Sequence, residues 1–132
     1  MTNDITLTGI WDGLYSYTQS GQLESTFTAV LFQSGAGLSG TIHETMRRRH
    51  ARDVAASAFV EGSVDGLRVS FSKTYDGSGG QTHMVVYDGR FSGDEIEGSW
   101  TIPSVAGNSG RFLMIRGSKA EVGTEVGILA KA

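Results

Sequence analysis

The chain has no cysteine and only 1 proline, and each scarcity excludes a class of structure. Without cysteine there can be no disulfide, no thiolate metal ligand and no cysteine nucleophile. The 19 glycines beside a single proline suit tight turns and strand bulges better than collagen or a disordered tail. At 132 residues the sequence predicts one domain, 1–132, which is large enough to bury a core without covalent staples.

The chain also lacks a large net charge and long apolar runs. The formal net charge of −3 gives no global attraction to nucleic acid or to an anionic membrane. No apolar run approaches a membrane span, and the first residues lack the basic and apolar stretches of a secretion signal. We therefore expect a cytoplasmic protein with no nucleic-acid or membrane partner. The scattered His43, His50 and His83 do not have the spacing of metal ligands, so neither a metal nor a cofactor is expected.

What the chain does contain is a repeated unit, in which a run of alternating residues is followed by a glycine-marked turn. Side chains alternate between the faces of a strand, so this pattern predicts strands with one protected face. The predicted strands are Leu7–Tyr17, Ser25–Gln33, Leu38–Met46, Ala58–Val64, Leu67–Tyr75, Thr82–Asp88, Glu95–Ile102 and Arg111–Arg116. A long loop is expected at Arg47–Ser57 and a turn at Gly89–Gly93. The pattern predicts an all-β fold, an eight-stranded antiparallel up-and-down barrel whose size allows one small ligand inside.

Several short motifs resemble the avidin and streptavidin family. Gly9-Ile10-Trp11 is similar to the family's opening G-x-W, and the segment Ile96–Ile102 resembles its I-N-T-Q-W-L-L strand. The segments Ser25–Thr28 and Leu38–Glu44 are similar to its S-T-F and L-T-G-T-Y-E-S motifs. The resemblance implies an avidin-like barrel within the wider calycin group, which also includes lipocalin-like proteins.

The biotin chemistry of that family does not carry over. Ile42 stands where the resemblance implies a ring-binding tyrosine, and Phe71 and Tyr87 stand where it implies tryptophans. A buried polar ligand group that loses its partner costs about 1–3 kcal/mol, so several such losses would abolish tight biotin binding. The resemblance therefore implies the scaffold with a different ligand.

Alternation also predicts which side chains face the interior. The inward set is Trp11, Tyr15, Phe27, Leu31, Ile42, Glu44, Val69, Phe71, His83, Val85, Tyr87, Ile96 and Trp100. The candidate ligand-binding residues among them are Trp11, Tyr15, Glu44, Phe71, His83, Tyr87 and Trp100. A carboxylate beside an apolar lumen needs a partner or a ligand donor, so Glu44 and His83 are expected to orient polar groups between aromatic walls. The competing interpretation places Glu44 and His83 at strand ends in water, with Trp11 and Trp100 as core.

Three further features have alternative interpretations. The basic cluster Arg47–Arg52 lies in the predicted long loop. One interpretation is a solvated surface loop, and the other is a lid over the barrel mouth that captures an acidic ligand. The weakly patterned segment Gly117–Ala132 is a C-terminal tail or an extra strand. The segment Gly35–Gly40 reads G-x-G-x-x-G, and a helix after it would indicate dinucleotide binding instead of a barrel.

Three functions follow from these patterns. The leading hypothesis is non-catalytic binding of a small, partly apolar molecule, other than biotin, in the barrel mouth. The first alternative is an interaction module whose barrel is filled by its own side chains and which forms a homo-oligomer. The second is a small enzyme that uses Glu44 and His83 as acid and base. The sequence favours a protein without catalytic residues, and it does not identify the ligand.

Overall fold

The computed structural model describes residues 6–17, 25–46, 51–105 and 107–117. Its strands are β1 (Gly9–Tyr17), β2 (Ser25–Ser34), β3 (Gly37–Met46), β4 (Val54–Asp65), β5 (Arg68–Tyr75), β6 (Met84–Ser92), β7 (Glu95–Thr101) and β8 (Ser109–Arg116). Each strand pairs antiparallel with the next, and β8 returns to pair with β1. The predicted fold class, an eight-stranded antiparallel up-and-down barrel, is therefore confirmed.

The closed antiparallel barrel is consistent with a calycin-like fold. One 3₁₀ turn, Ser78–Gly80, interrupts the connection from β5 to β6. The described residues contain no helix that is long and apolar enough to span a membrane. The predicted dinucleotide alternative is wrong, because Gly35–Gly40 forms a hairpin turn and the start of β3 rather than a loop before a helix.

The two ends of the barrel differ in how the strands are connected. At one end, called here the tight-turn end, the connections are the residue pairs Gly35–Ala36, Gly66–Leu67 and Gly93–Asp94. The first residue of each pair has a positive φ, 60°, 61° and 62°, which is the pattern of the type II′ turn that suits twisted hairpins. The opposite, long-loop end carries the connections 18–24, 47–53, 76–83 and 102–108. The segments 18–24 and 47–50 lie outside the described residues, and so does most of the basic cluster.

Two predicted boundaries are wrong, both because small residues hide the strand pattern. Strand β4 begins at Val54 rather than Ala58, and the small side chain of Ala56 occupies an inward, buried position that the pattern does not reveal. Strand β6 runs through Gly89 to Ser92, so the predicted turn at Gly89–Gly93 is displaced to its end. Gly89 is an inward position where a side chain has no room, since an added Cβ would lie 2.6 Å from the carbonyl oxygen of Glu97 and 2.8 Å from Cζ of Phe112.

The interior toward the tight-turn end is apolar and closely filled. Trp11, Leu31 and Ile96 are each 0 % exposed. The indole Nε1–H of Trp11 donates to the carbonyl of Leu7 at 2.9 Å, so the ring is buried without losing a hydrogen bond. Burying one large apolar side chain contributes about 1.5–3 kcal/mol, so this region supplies much of the hydrophobic stabilisation. The segment 118–132 lies outside the described residues, and the predicted tail and single-domain boundaries stay predictions.

Candidate functional site

The interior becomes polar toward the long-loop end. Glu44 follows Ile42 on the inward face of β3, and Lys73 follows Phe71 on the inward face of β5. Nζ of Lys73 and Oε1 of Glu44 are 2.8 Å apart, and the two side chains are only 2 % and 0 % exposed. A buried charge is tolerated only when it is paired and hydrogen-bonded, and each of these residues neutralises the other. The barrel therefore holds an ion pair inside its core.

Two tyrosines complete this arrangement. The hydroxyl of Tyr15 on β1 donates to Oε2 of Glu44 at 2.6 Å, and the hydroxyl of Tyr75 on β5 donates to Oε1 at 2.8 Å. Together with the bond from Lys73, the carboxylate accepts three charge-assisted hydrogen bonds. Tyr15, Glu44, Lys73 and Tyr75 are called the buried polar cluster below.

Aromatic rings surround the ammonium group of Lys73. Its Nζ lies 4.6 Å from the ring centroid of Tyr75, 4.9 Å from that of Tyr15 and 5.3 Å from that of Tyr87. Such contacts are attractive, and more so when water is excluded. An ammonium carries three donors, and within the described residues its one hydrogen-bond acceptor is Oε1 of Glu44. The remaining donor capacity faces aromatic rings.

Burial shifts the titration of this cluster. Loss of solvation lowers the pKa of Lys73, and the charge and hydrogen bond of Glu44 partly oppose that decrease. Burial, followed by the nearby charge of Glu44, raises the pKa of Tyr15, and burial is also the largest cause of the raised pKa of Tyr75 and Tyr87. The phenols therefore remain protonated hydrogen-bond donors well above neutral pH.

A second layer lies between the cluster and the long loops. His83 is half-buried, and its ring centroid is 4.7 Å from that of Tyr75. Burial lowers the pKa of His83, and the positive charge of Lys73 lowers it further. On the adjacent strand β7, Trp100 contacts Tyr15 and Tyr17 edge to face, with ring centroids 5.8 Å and 5.1 Å apart. A molecule entering from this end would meet aromatic surfaces and one imidazole before the cluster.

The structure brings most of the predicted site residues together. Tyr15 and Glu44 belong to the cluster, Tyr87 contacts Lys73, and His83 and Trp100 lie in the second layer. The interpretation that Glu44 faces water is wrong, because its side chain is paired inside the barrel. The expectation that His83 lies within the sixth strand is also wrong, since β6 begins after it at Met84.

Two predicted residues lie deeper or elsewhere. Trp11 is near the tight-turn end, with the guanidinium of Arg116 4.6 Å from its ring centroid. Phe71 stacks on Tyr87 at a centroid distance of 4.8 Å and supports the ring that contacts Lys73. Trp11 is thus far from the buried polar cluster along the strands, and Phe71 contacts the cluster through Tyr87.

The inward set missed Lys73 and Tyr75, although the signal for both was present. Val69 and Phe71 are inward, so period-two alternation along β5 places Lys73 and Tyr75 on the same face. A lysine is rarely buried, so alternation alone gives a weak sign that Lys73 lies inside. Lys73, the partner of Glu44, therefore lies two residues after Phe71, which was predicted to be inward.

Comparisons of the chain with protein-family models, with curated proteins and with solved structures give no match. The functional argument therefore depends on the geometry of the barrel interior.

Proposed function

We propose that the protein binds a small, partly apolar ligand at the long-loop end of the barrel, without catalysing a reaction. Aromatic side chains of the second layer supply the walls, and an acceptor group of the ligand meets the donor capacity of the buried polar cluster. The single observation that carries this proposal is the ion pair between Glu44 and Lys73 in the barrel interior at this end.

The energetics of buried ion pairs support a role beyond stability. Replacing such a pair by well-packed apolar side chains is often neutral or stabilising by roughly 1–4 kcal/mol. A barrel interior built only for stability would therefore gain nothing from Glu44 and Lys73. Ligand sites are commonly apolar with a few convergent polar groups, and the cluster below Trp100 and His83 has that composition.

The avidin-like relationship belongs to the same proposal. It is supported by the closed barrel and by the short motifs around Trp11 and Trp100. Biotin is not the proposed ligand, because Ile42, where that family has a hydroxyl donor, is apolar and fully buried. We further propose that the protein is cytoplasmic.

Native mass spectrometry of the protein purified from its own host tests the proposal. The matched control is the double variant Glu44→Leu/Lys73→Met, which replaces both charges by apolar groups of similar volume. We expect a co-purifying small molecule on the wild type and its absence from a folded double variant. An unliganded wild type, or a molecule retained equally by both proteins, would contradict binding at the cluster.

A second candidate function, a homo-oligomeric interaction module, is favoured by the outer surface. Phe32 on β2 and Phe59 on β4 are 58 % and 61 % exposed. Large apolar side chains in water often mark association surfaces. Sedimentation of the wild type and of Phe32→Ser/Phe59→Ser tests this function. A change from oligomer to monomer would support it, and a monomeric wild type would contradict it.

A further inference from the structure

Lys73 combines burial, a carboxylate partner and neighbouring phenols in one place. We propose that its amine forms a reversible imine with an aldehyde or ketone group of the ligand. This inference rests on the proposed function, because it names the chemical class of ligand that the same site accepts. Aldehydes and ketones attached to an aromatic or unsaturated body are favoured, since the amine is surrounded by ring faces.

The first argument is that the cluster contains the groups that imine formation needs. A lysine becomes nucleophilic when a desolvated environment makes its neutral form accessible. Burial lowers the pKa of Lys73 in that sense, and Oε1 of Glu44 lies 2.8 Å from Nζ, close enough to take a proton directly. The hydroxyl of Tyr75 donates to the same Oε1 and can bond instead to a carbonyl oxygen.

The steps balance within this ion pair. Glu44 first takes a proton from the ammonium, which leaves a neutral amine and a carboxylic acid. The nitrogen lone pair then attacks the carbonyl carbon, the carbonyl π electrons move to oxygen, and a proton passes from nitrogen to that oxygen to give a carbinolamine. Glu44 returns its proton to the carbinolamine hydroxyl, the carbon–oxygen bond breaks, and water leaves. The product is a protonated imine beside a carboxylate, so the site is neutral before and after.

Lys73 lies nearer to the long-loop end of the barrel than to the tight-turn end. Lys73 is two residues before the end of β5, or roughly 7 Å along the strand. The half-buried His83 lies between this level and solvent, against the ring of Tyr75. A small carbonyl compound is therefore expected to enter from this end, because the interior beyond Phe71 is filled by buried apolar side chains.

Reductive trapping on the wild type tests this inference without any substitution. The protein is incubated near neutral pH with 4-hydroxybenzaldehyde and sodium cyanoborohydride, and the adducts are located by peptide mass spectrometry. The chain has only three lysines, Lys73, Lys119 and Lys131, so each site is resolved individually. We expect Lys73 to be labelled faster in the folded protein than in the urea-unfolded protein, because burial lowers its pKa and so raises the fraction of neutral amine.

Lys119 and Lys131 serve as references for the reactivity of the reagent in both conditions. Slower labelling of Lys73 in the folded than in the unfolded protein would overturn the inference, because it would identify Lys73 as a structural, inaccessible lysine. The variant Lys73→Arg keeps the charge beside Glu44 and removes the imine chemistry. We expect folded Lys73→Arg to show no enhanced labelling at any site, and an undiminished fold-dependent adduct elsewhere would also overturn the assignment.

Failure of this inference is distinguishable from failure of the proposed function. If trapping fails while native mass spectrometry finds a ligand that requires the cluster, binding is non-covalent and only the imine is wrong. If trapping succeeds at Lys73 while no ligand co-purifies, the amine is reactive but the proposed ligand-binding function is contradicted. If both fail, the cluster is not a ligand site.

Discussion

The two ends of the barrel use the same strands for different purposes. Toward the tight-turn end, the interior is apolar and the strands are joined by residue pairs that begin with glycine. Toward the long-loop end, the interior contains an ion pair held by two phenols, and the connections are longer. One half of the barrel interior is thus packed with apolar side chains, and the other half holds the buried polar cluster.

The outer surface and the interior each contain an ion pair, and the two pairs differ in burial. Arg68 and Asp88 on the outer surface lie 2.8 Å apart, as do Lys73 and Glu44 inside. The outer pair is 66 % and 47 % exposed, so water and salt screen it, whereas the inner pair is desolvated. Removing one partner should therefore reduce the free energy of unfolding much more for the inner pair than for the outer pair, although the two distances are equal.

Removing one charge of the inner pair should have the largest effect. Glu44→Gln leaves the ammonium of Lys73 buried without a counter-charge, and breaking such a pair costs about 3–5 kcal/mol. The free energy of unfolding in urea measures the loss, and Asp88→Asn on the outer surface is the matched control with little expected change. Equal effects of the two substitutions would show that burial does not separate the pairs.

A cavity near the tight-turn end should reduce stability without affecting ligand retention. Leu31 is 0 % exposed, and truncating a buried leucine to alanine costs about 2–5 kcal/mol. We expect Leu31→Ala to have a lower free energy of unfolding and an unchanged native mass spectrum under conditions where it is folded. Loss of a bound molecule from the folded variant would show that the two ends are not independent.

High pH should destabilise the folded protein through the tyrosines near the long-loop end. The chain has 4 tyrosines, and the pKa of each, Tyr15, Tyr17, Tyr75 and Tyr87, is raised in the folded state. Unfolded phenols ionise near pH 10, so above about pH 10 the unfolded state holds fewer protons and the free energy of unfolding falls as pH rises. We expect phenolate absorbance to increase together with loss of near-ultraviolet circular dichroism. Phenolate formation in a protein that keeps its native spectrum would contradict the burial of these hydroxyls.

The smallest effect is expected at a single turn. Gly66 has a φ of 61°, and alanine in this left-handed region costs about 1–2 kcal/mol. Nothing lies within 4 Å of an added Cβ, so the cost of Gly66→Ala is conformational rather than steric. Urea unfolding measures it, and Gly66→Asn, which tolerates this conformation better, should lose less. Identical losses for the two variants would exclude a conformational cause.

The fold was predictable from the sequence because alternation and turn glycines repeat along the whole chain. The errors have a common cause, since Ala56 and Gly89 are inward residues without the bulk that marks an inward position. The barrel interior was only partly predictable. The inward positions of Glu44 and Tyr15 were predicted, but Lys73 was missed although alternation along β5 places it inward. The sequence does not show which carboxylate neutralises a buried lysine. That pairing depends on the register of β3 and β5 on either side of β4, which the sequence pattern does not give.

The stability of the double variant Glu44→Leu/Lys73→Met tests most directly whether the buried polar cluster serves binding rather than folding. Its free energy of unfolding in urea is compared with that of the wild type and of the two single variants. If the ion pair is kept for a ligand, the double variant is at least as stable as the wild type, while each single variant is less stable. A double variant that loses as much stability as the two single variants together would contradict this account and assign the cluster to the folding of the barrel.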